Sequence, residues 1–286
     1  LAAADRAARG ATVSSGTGDA VRALSIREYV QRKQKGEKIV MVTAYDALFG
    51  RLVDEAGVDA VLVGDSLGNV IAGLDTTLPV TLDQMIYHAT MVRRGVKRAL
   101  LFVDMPFLTY QASVEQAIMS CGRVLQQTGA SAVKMEGAGE EMAETVRRVV
   151  GAGIPVVGHI GFTPQSVHTL GGARVQGRDA GDASRMIDEA RRLEDAGAFS
   201  IVLELVPAEL AARITAAVAV PTIGIGAGAG CDGQVLVLPD LLGLNDRFAP
   251  KFLKRYAEMA SDVRGAVERF ASDVRGGKYP GSEHSF

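Results

Sequence analysis

The sequence has little of what cross-linked or metal-cluster proteins depend on. Its 286 residues include two cysteines, four histidines and no tryptophan, and only 5% are aromatic. Cys121 and Cys231 stand in no metal-ligand spacing, which argues against a disulfide framework, a zinc site or an iron–sulfur cluster. Cys121 falls in an apolar helical stretch, and we predict that it serves packing alone.

Excess charge and long apolar runs are also missing. The formal net charge is −2, which gives no electrostatic reason to expect binding to nucleic acid or to a membrane surface. The longest apolar runs are far shorter than the roughly 20 residues that a membrane-spanning helix needs, and no signal-type segment is recognisable. We therefore expect a cytoplasmic protein whose partners are small molecules.

What the sequence does have is apolar residues, at 48% of the chain against 22% charged. That balance can bury one large core. Residues 1–24 are rich in Ala, Gly, Ser and Thr without an apolar period, and we predict a mobile tail there. Residues 25–286 are predicted to form a single domain.

Short β-branched runs alternate with amphipathic segments along that domain. Near-continuous apolar strands, each followed by a helix, predict a parallel sheet, and eight such units in about 250 residues are typical of a (β/α)8 TIM barrel. An N-terminal helix and a long C-terminal helix flank the repeats. A doubly wound open sheet is the alternative. The predicted strands are 38–45, 60–65, 99–106, 132–137, 155–161, 200–207, 221–228 and 234–240.

Several helix boundaries carry recognisable signals. Thr81 with Gln84, and Ser113 with Gln116, fit the capping box that begins a helix, and Gly95 and Gly129 are predicted to end the same two helices. The C-terminal helix is predicted to start near Pro250. Its apolar face is wider than one barrel wall requires, and packing on the barrel and contact with another subunit are equally weighted explanations.

Polar residues end most of the predicted strands, where the chemistry of a parallel barrel lies. Asp46 and Asp240 fit helix caps or loop positions. The alternation within "AVKMEG" sends Lys134 and Glu136 to one face, which in a barrel is the lumen. The full set of strand-end residues is Tyr45, Asp46, Asp65, Ser66, Asp104, Lys134, Glu136, His159, Glu204 and Asp240.

The acidic members of this set suggest a metal. Hard oxygen ligands without cysteine suit Mg²⁺ or Mn²⁺. Asp65 and Asp104 are the candidate inner ligands, and Glu136 could bind directly or through a water. Lys134 could hold a carboxylate or enolate oxygen of a substrate. Glu204 is flanked by apolar residues, where an unpaired carboxylate is costly to bury. We therefore expect it to have a binding partner or a catalytic role.

Two further segments lie near the same edge of the predicted barrel. The glycine run 224–230 matches no dinucleotide or P-loop motif, so we predict close backbone packing, with phosphate binding as the weaker alternative. Residues 161–182 form a long polar loop that could act as a lid. His168, within that loop, is predicted to be solvated.

Motifs on every strand resemble one family. They include "TAYDALFGRLVDEAGVDAVLVGDSLG", "TLPVTLDQMIYHATMVRRG", "DMPFLTY", "VKMEG", "GHIGFTPQSV", "LELVP", "IGIGAG…CDGQVLV" and "YPGSEHSF". From about Ser25 to Phe286 the chain resembles the ketopantoate hydroxymethyltransferases of pantothenate biosynthesis, within the phosphoenolpyruvate/pyruvate barrel superfamily. The resemblance implies Mg²⁺, 5,10-methylenetetrahydrofolate as co-substrate, and a homo-decamer of two pentameric rings.

The resemblance also implies residue roles. The metal would be held by Asp65 and Asp104 with Glu136 associated. The 2-oxo acid would contact Asp65, Ser66, Asp104 and Lys134, and Glu204 would accept the C3 proton. His159 would be accessory, relaying protons or orienting a ligand. Two alternatives remain at this stage: a Mg²⁺-dependent C–C lyase of the same superfamily, which would not need folate, and a metabolite-binding barrel without catalysis.

Overall fold

The computed structural model describes residues 22–286, which form a closed barrel of eight parallel strands in chain order. The strands are β1 Ile39–Thr43, β2 Ala60–Val63, β3 Leu100–Asp104, β4 Ala132–Glu136, β5 Val156–Gly161, β6 Ser200–Glu204, β7 Thr222–Ile225 and β8 Gly233–Leu236. All eight predicted strands are therefore present, and the (β/α)8 barrel is confirmed over the open sheet.

Helices cover the outside and the amino-terminal end of the barrel. They are α1 Ile26–Lys35, α2 Ala47–Glu55, α3 Leu67–Val70, α4 Leu82–Gly95, α5 Val114–Thr128, α6 Glu140–Gly151, α7 Val167–Leu170, α8 Ala180–Asp195, α9 Ala208–Ala217, α10 Leu238–Leu241 and α11 Met259–Arg275. The expected N-terminal helix is α1, which Ser25 and Glu28 begin with a complete capping box. Residues 226–232 join β7 directly to β8 without a helix, which is an exception to the predicted alternation.

Two apolar cores follow from the alternation of side chains along the strands. One lies between the strands and the outer helices and includes Met135 and Val103. The other fills the lower half of the barrel, where Tyr29 from α1 is fully buried and contacts Phe102 and Phe199 edge-on. In the part of the chain that the structure describes, α1 closes the amino-terminal end of the barrel. A ligand can therefore enter only at the carboxyl ends of the strands, where the polar residues lie.

The predicted mobile tail, residues 1–24, lies almost entirely outside the described residues. Of the 24 positions, the structure describes 22–24, and Leu24 donates its backbone N–H to the carbonyl of Arg98 at 2.8 Å. Residues 1–21 lie outside the described range, so the mobile tail stays a prediction.

The predicted helix starts are correct for Thr81 and Ser113. The Thr81 hydroxyl accepts the N–H of Gln84, with the reciprocal bond present, so α4 has the full capping box. Ser113 accepts the N–H of Gln116, but the Gln116 side chain donates instead to the carbonyl of Leu108. Gly129 ends α5 in the left-handed conformation, as predicted.

Gly95 ends α4, as predicted, and also permits a close contact between two helices. It is the last residue of α4, and a Cβ at this position would lie 2.3 Å from the carbonyl oxygen of Ala47 and 2.6 Å from the backbone nitrogen of Arg51. Glycine is therefore required for the close approach of α4 to α2, rather than for a left-handed turn.

The C-terminal helix begins later than predicted, at Met259 instead of near Pro250. Residues 250–258 form a loop that is held to the preceding segment of the chain. The Arg255 guanidinium donates to the carbonyls of Asp246 and Phe248. Phe252 and Leu253 turn toward the barrel mouth, where they line a cavity.

No helix within residues 22–286 combines the length and the apolar character needed to cross a membrane.

Candidate active site

A cavity of about 700 Å³ opens at the carboxyl ends of the strands. Among its lining residues are seven of the polar residues singled out from the sequence: Asp65, Ser66, Asp104, Lys134, Glu136, His159 and Glu204. Asp240 also lines it, whereas Asp46 caps α2 by accepting the N–H of Phe49 at 2.8 Å.

Strand register explains how residues far apart in sequence meet here. Asp104 on β3 stands beside Lys134 on β4, and Glu136 on β4 stands beside His159 on β5. Since paired residues of parallel strands point to the same side of a sheet, all four enter the lumen. The placement of Lys134 and Glu136 on one face, with Met135 on the other, agrees with the predicted alternation.

Lys134 lies between two carboxylates. Its Nζ is 3.0 Å from Asp104 Oδ1 and 3.8 Å from Glu136 Oε1, and the residue is buried. Burial alone would lower the pKa of Lys134, but Asp104, Glu136 and Asp65 together raise it above the ordinary value. The ammonium therefore stays charged and can hold an anionic substrate oxygen.

The two aspartates are linked at the backbone. Asp65 donates its N–H to Asp104 Oδ2 at 3.0 Å. Gly64 makes this possible, because a Cβ there would lie 2.8 Å from Ser66 Oγ and 3.4 Å from Asp104 Oδ2. The pKa of Asp65 is raised to about 8, mainly by burial and to a smaller extent by repulsion from Asp104 and Glu136. Burial also raises the pKa of Asp104, against the opposing effect of Lys134.

Glu136 behaves differently from the aspartates. Burial would raise its pKa, but hydrogen bonding to His159 and the charge of Lys134 lower it below the ordinary value. Glu136 Oε2 accepts the backbone N–H of Gln165 at 3.0 Å. Glu136 therefore remains an anion at neutral pH and supplies the negative charge that a cation needs.

His159 connects this cluster to Glu204. Its Nδ1 is 3.1 Å from Lys134 Nζ, and its Nε2 is 3.4 Å from Glu204 Oε2. Burial and Lys134 lower the pKa of His159, but the carboxylates of Glu136 and Glu204 outweigh them and raise it. The Glu204 side chain is 19% exposed against 2% for His159, so Glu204 reaches further into the cavity than the residues below it.

The donor set fits a hard divalent cation. Asp104 Oδ1 is buried and pairs with Lys134 Nζ. Glu136 Oε1 is buried 3.8 Å from the same ammonium and 3.5 Å from His159 Nδ1, so both oxygens keep lone pairs for a cation. Within residues 22–286, no three or more His, Cys, Asp or Glu side chains converge tightly enough to hold an ion by themselves. Mg²⁺ does not require this, because it is usually bound by one or two carboxylates together with waters and substrate.

Two uncharged residues at this site were missed from the sequence. Gln165 and Tyr110 are buried among the carboxylates, and Tyr110 accepts the N–H of Glu136 at 3.0 Å. A search for charged strand ends passes over both. The available signal was position, since "FTPQSV" begins directly beyond the end of β5.

The loop after β5 and the glycine run after β7 are both present. The long loop predicted for residues 161–182 is present over 162–179, because Gly161 ends β5 and α8 already begins at Ala180. The loop contains short helical turns, and Phe162, Val167 and Val175 line the cavity. His168 is exposed, as predicted. The glycine run packs closely: a Cβ at Gly228 would lie 2.4 Å from the Cβ of Ala208, and one at Gly230 would lie 2.8 Å from that of Ala212.

Solved structures with this fold include a member of the phosphoenolpyruvate mutase/isocitrate lyase superfamily. A phosphonopyruvate hydrolase matches with a TM-score of 0.60 at 12% identity, covering 92% of this chain and 91% of the other. A 2,3-dimethylmalate lyase matches with a TM-score of 0.57 at 16% identity, covering 91% of each chain. At these identities the likeness concerns the fold alone. A closed parallel barrel with charged groups at its carboxyl ends defines the class of (β/α)8-barrel enzymes.

Sequence comparison identifies the family. The ketopantoate hydroxymethyltransferase family model matches residues 23–282. The 3-methyl-2-oxobutanoate hydroxymethyltransferase of Syntrophus aciditrophicus is 55% identical over 254 residues, covering 89% of this chain and 93% of the relative. The enzyme of the same description from Pelobacter propionicus is 54% identical over 268 residues, covering 94% and 99%. The chain belongs to the ketopantoate hydroxymethyltransferase family and is a transferase.

Proposed function

We propose that the protein transfers a one-carbon unit to 3-methyl-2-oxobutanoate, with 5,10-methylenetetrahydrofolate as the donor, and forms ketopantoate for pantothenate biosynthesis. The observation that carries this proposal is the joint placement of Asp65, Asp104 and Lys134 under Glu204 in one cavity, within a chain of this family. Such a site combines anion binding with a base, which is what deprotonation next to a ketone requires.

We propose Mg²⁺ as the cation, with Asp65 and Asp104 as ligands and Glu136 associated directly or through a water. The buried Asp104 Oδ1 and Glu136 Oε1, which accept from no backbone N–H, support this assignment. When bound, Mg²⁺ would supply Lewis-acid polarisation of the keto group.

The protein's own groups would then bind and deprotonate the acid. The Lys134 ammonium would pair with an oxygen of the substrate, and the Ser66 hydroxyl, held by Tyr45 Oη at 2.8 Å, would donate to another. Glu204 would take the proton from C3, since it projects into the cavity above Lys134. The carbon–carbon bond would form between C3 and the methylene carbon of the folate, whose bonds to N5 and N10 would break. Water would supply the hydroxyl oxygen, and the proton taken from C3 and one proton of that water would end on N5 and N10 of the released tetrahydrofolate.

His159 is proposed to keep Glu204 in place. Its Nε2, 3.4 Å from Glu204 Oε2, has no hydrogen-bond partner, so a small movement of Glu204 would join the two. The other ring nitrogen faces Lys134, which ties the base to the group that would hold the substrate oxygen.

The folate is proposed to occupy the apolar upper part of the cavity. A small 2-oxo acid would fill only the polar floor of a cavity of about 700 Å³. The loops before α7 and α11 line the remainder with apolar side chains, which suits a flat pterin ring. Phe162, Val167, Phe248, Phe252 and Leu253 form this wall.

A donor-dependence assay tests the proposed function. Purified protein, 3-methyl-2-oxobutanoate and Mg²⁺ are incubated with and without 5,10-methylenetetrahydrofolate, and ketopantoate is measured by mass spectrometry. Product that needs both Mg²⁺ and the folate supports the proposal. Breakdown of a branched 2-hydroxy diacid without folate would instead indicate a lyase. A homo-decamer of two pentameric rings stays a prediction of the resemblance, and a cytoplasmic location stays a prediction from the sequence.

A further inference from the structure

Gln165 is an uncharged residue held at the centre of a charged site. It follows β5 by four residues, in a single helical turn spanning Pro164–Ser166, and only 6% of its surface is exposed. Burying an amide is costly unless every donor and acceptor is used. The partners of Gln165 therefore indicate what the residue does.

The hydrogen bonds of the Gln165 side chain fix its orientation. Its Nε2 donates to Asp65 Oδ2 at 2.9 Å and to the carbonyl of Met105 at 2.8 Å. Its Oε1 accepts from Tyr110 Oη at 2.8 Å and from Gln111 Nε2 at 3.0 Å. A flipped amide would place its oxygen against the Met105 carbonyl and the Asp65 carboxylate, so only one orientation is stable.

The backbone of Gln165 holds a second carboxylate. Its N–H donates to Glu136 Oε2 at 3.0 Å. Tyr110 closes the arrangement, since its hydroxyl donates to Gln165 Oε1 and accepts the N–H of Glu136. One residue of the loop after β5 thus contacts two of the three carboxylates in the cluster.

We propose that Gln165 is a positioning residue that orients the Asp65 carboxylate for a divalent cation, and that Tyr110 keeps its amide turned toward Asp65. The proposal rests on the proposed function only in taking Asp65 as a cation ligand. It does not depend on which acid or which one-carbon donor the enzyme uses.

The physical reason is the freedom of an unrestrained carboxylate. Asp65 Oδ2 receives no other side-chain hydrogen bond in the described residues, so the loss of Gln165 Nε2 would let the carboxylate rotate and leave it with one donor fewer. Groups that orient metal ligands typically contribute about 10–100-fold to metal affinity. The same factor is expected here.

Gln165→Met is the test variant, because methionine is close to glutamine in length and keeps the backbone N–H that Glu136 needs. Gln176→Met is the matched control. Gln176 lies further along the same loop, and its side chain donates only to the carbonyl of Arg174 at 3.0 Å. Isothermal titration of each metal-free protein with Mn²⁺ measures the cation affinity directly, and circular dichroism verifies that each variant is folded.

We expect Gln165→Met to bind Mn²⁺ about 10–100-fold more weakly than the parent protein, and Gln176→Met to bind it equally well. Turnover by Gln165→Met should recover at saturating Mg²⁺, because only the affinity of the cation has been reduced. A folded Gln165→Met with parental Mn²⁺ affinity would overturn the proposal, and so would lost turnover that no concentration of Mg²⁺ restores.

Tyr110→Phe gives an independent test of the same arrangement. Because Tyr110 acts on Asp65 through Gln165, the losses of Mn²⁺ affinity in Tyr110→Phe and Gln165→Met should not add in the double variant. Fully additive losses would show that the two residues act separately, which contradicts the proposal. If the parent protein binds Mn²⁺ but forms no ketopantoate, the proposed function fails while the role of Gln165 stands.

Discussion

The charge of Asp65 depends on which other charged groups the site holds. Its pKa of about 8 in the metal-free protein reflects burial and the nearby Asp104 and Glu136. An unfolded chain would protonate the same carboxyl only near its ordinary pKa of about 4. At this carboxyl the folded protein therefore binds more protons than the unfolded chain between roughly pH 4 and pH 8.

It follows that the free energy of unfolding of the metal-free protein should fall as the pH rises through that window, since stability decreases with pH wherever the folded state binds more protons. Thermal unfolding in EDTA from pH 5 to pH 8.5 measures this. Asp65→Asn should flatten the dependence. A parent protein whose stability in EDTA rises steadily over the same range would contradict the assignment.

Glu204 is the residue on which proton removal depends. Glu204→Gln keeps the shape of the side chain but cannot accept a proton, so we expect turnover to fall by about 10²–10⁴-fold. Binding of 3-methyl-2-oxobutanoate with Mg²⁺, measured by calorimetry, should persist. Glu209→Gln, on the exposed side of α9, is the matched control and should leave turnover unchanged. Near-normal turnover by Glu204→Gln would exclude Glu204 as the base.

At the scale of elements, the contact between α2 and α4 depends on the absence of a side chain at Gly95. Gly95→Ala would place a methyl group against the backbone of α2 at Ala47 and Arg51, and overpacking of this kind costs about 1–3 kcal/mol. Gly151→Ala is the control, because nothing lies within 4 Å of its added Cβ. Urea unfolding should find Gly95→Ala destabilised and Gly151→Ala no less stable than the parent. Equal stabilities would contradict the close approach.

The elements also show how far the sequence alone can be taken. The eight strands were predictable because strands buried on both faces are continuously apolar, and the charged strand ends were predictable because charges interrupt those runs. The start of α11 was not, because Phe252 and Leu253 continue its apolar period while packing at the cavity instead. Gln165 was missed because its importance comes from contacts with Asp65 and Tyr110 that only the folded barrel creates.

At the scale of the whole molecule, α11 presents an apolar stripe that the described chain covers only at Phe270, whose ring meets the Tyr279 ring edge-on. None of its residues is buried, and the stripe of Val263, Val267, Phe270 and Val274 is 47–60% exposed. A stripe at this spacing is typical of a helix that packs against another surface. The structure therefore favours subunit contact over packing on its own barrel.

We accordingly expect Val267→Asp to lower the molar mass in solution, measured by light scattering after size-exclusion chromatography. Ser272→Asp adds the same charge on the opposite side of α11, where the chain is exposed, and should leave the mass unchanged. A parental mass for Val267→Asp would exclude the stripe as a subunit contact.

The central claim is that Lys134, the surrounding carboxylates and Glu204 form an enolising site that needs a divalent cation. The most direct measurement is proton NMR of 3-methyl-2-oxobutanoate in D₂O with the protein, with and without Mg²⁺, following loss of the C3 proton signal. The account predicts exchange that requires Mg²⁺ and disappears in Glu204→Gln. Exchange that is equally fast in EDTA, or none with Mg²⁺ and tetrahydrofolate both present, would contradict it.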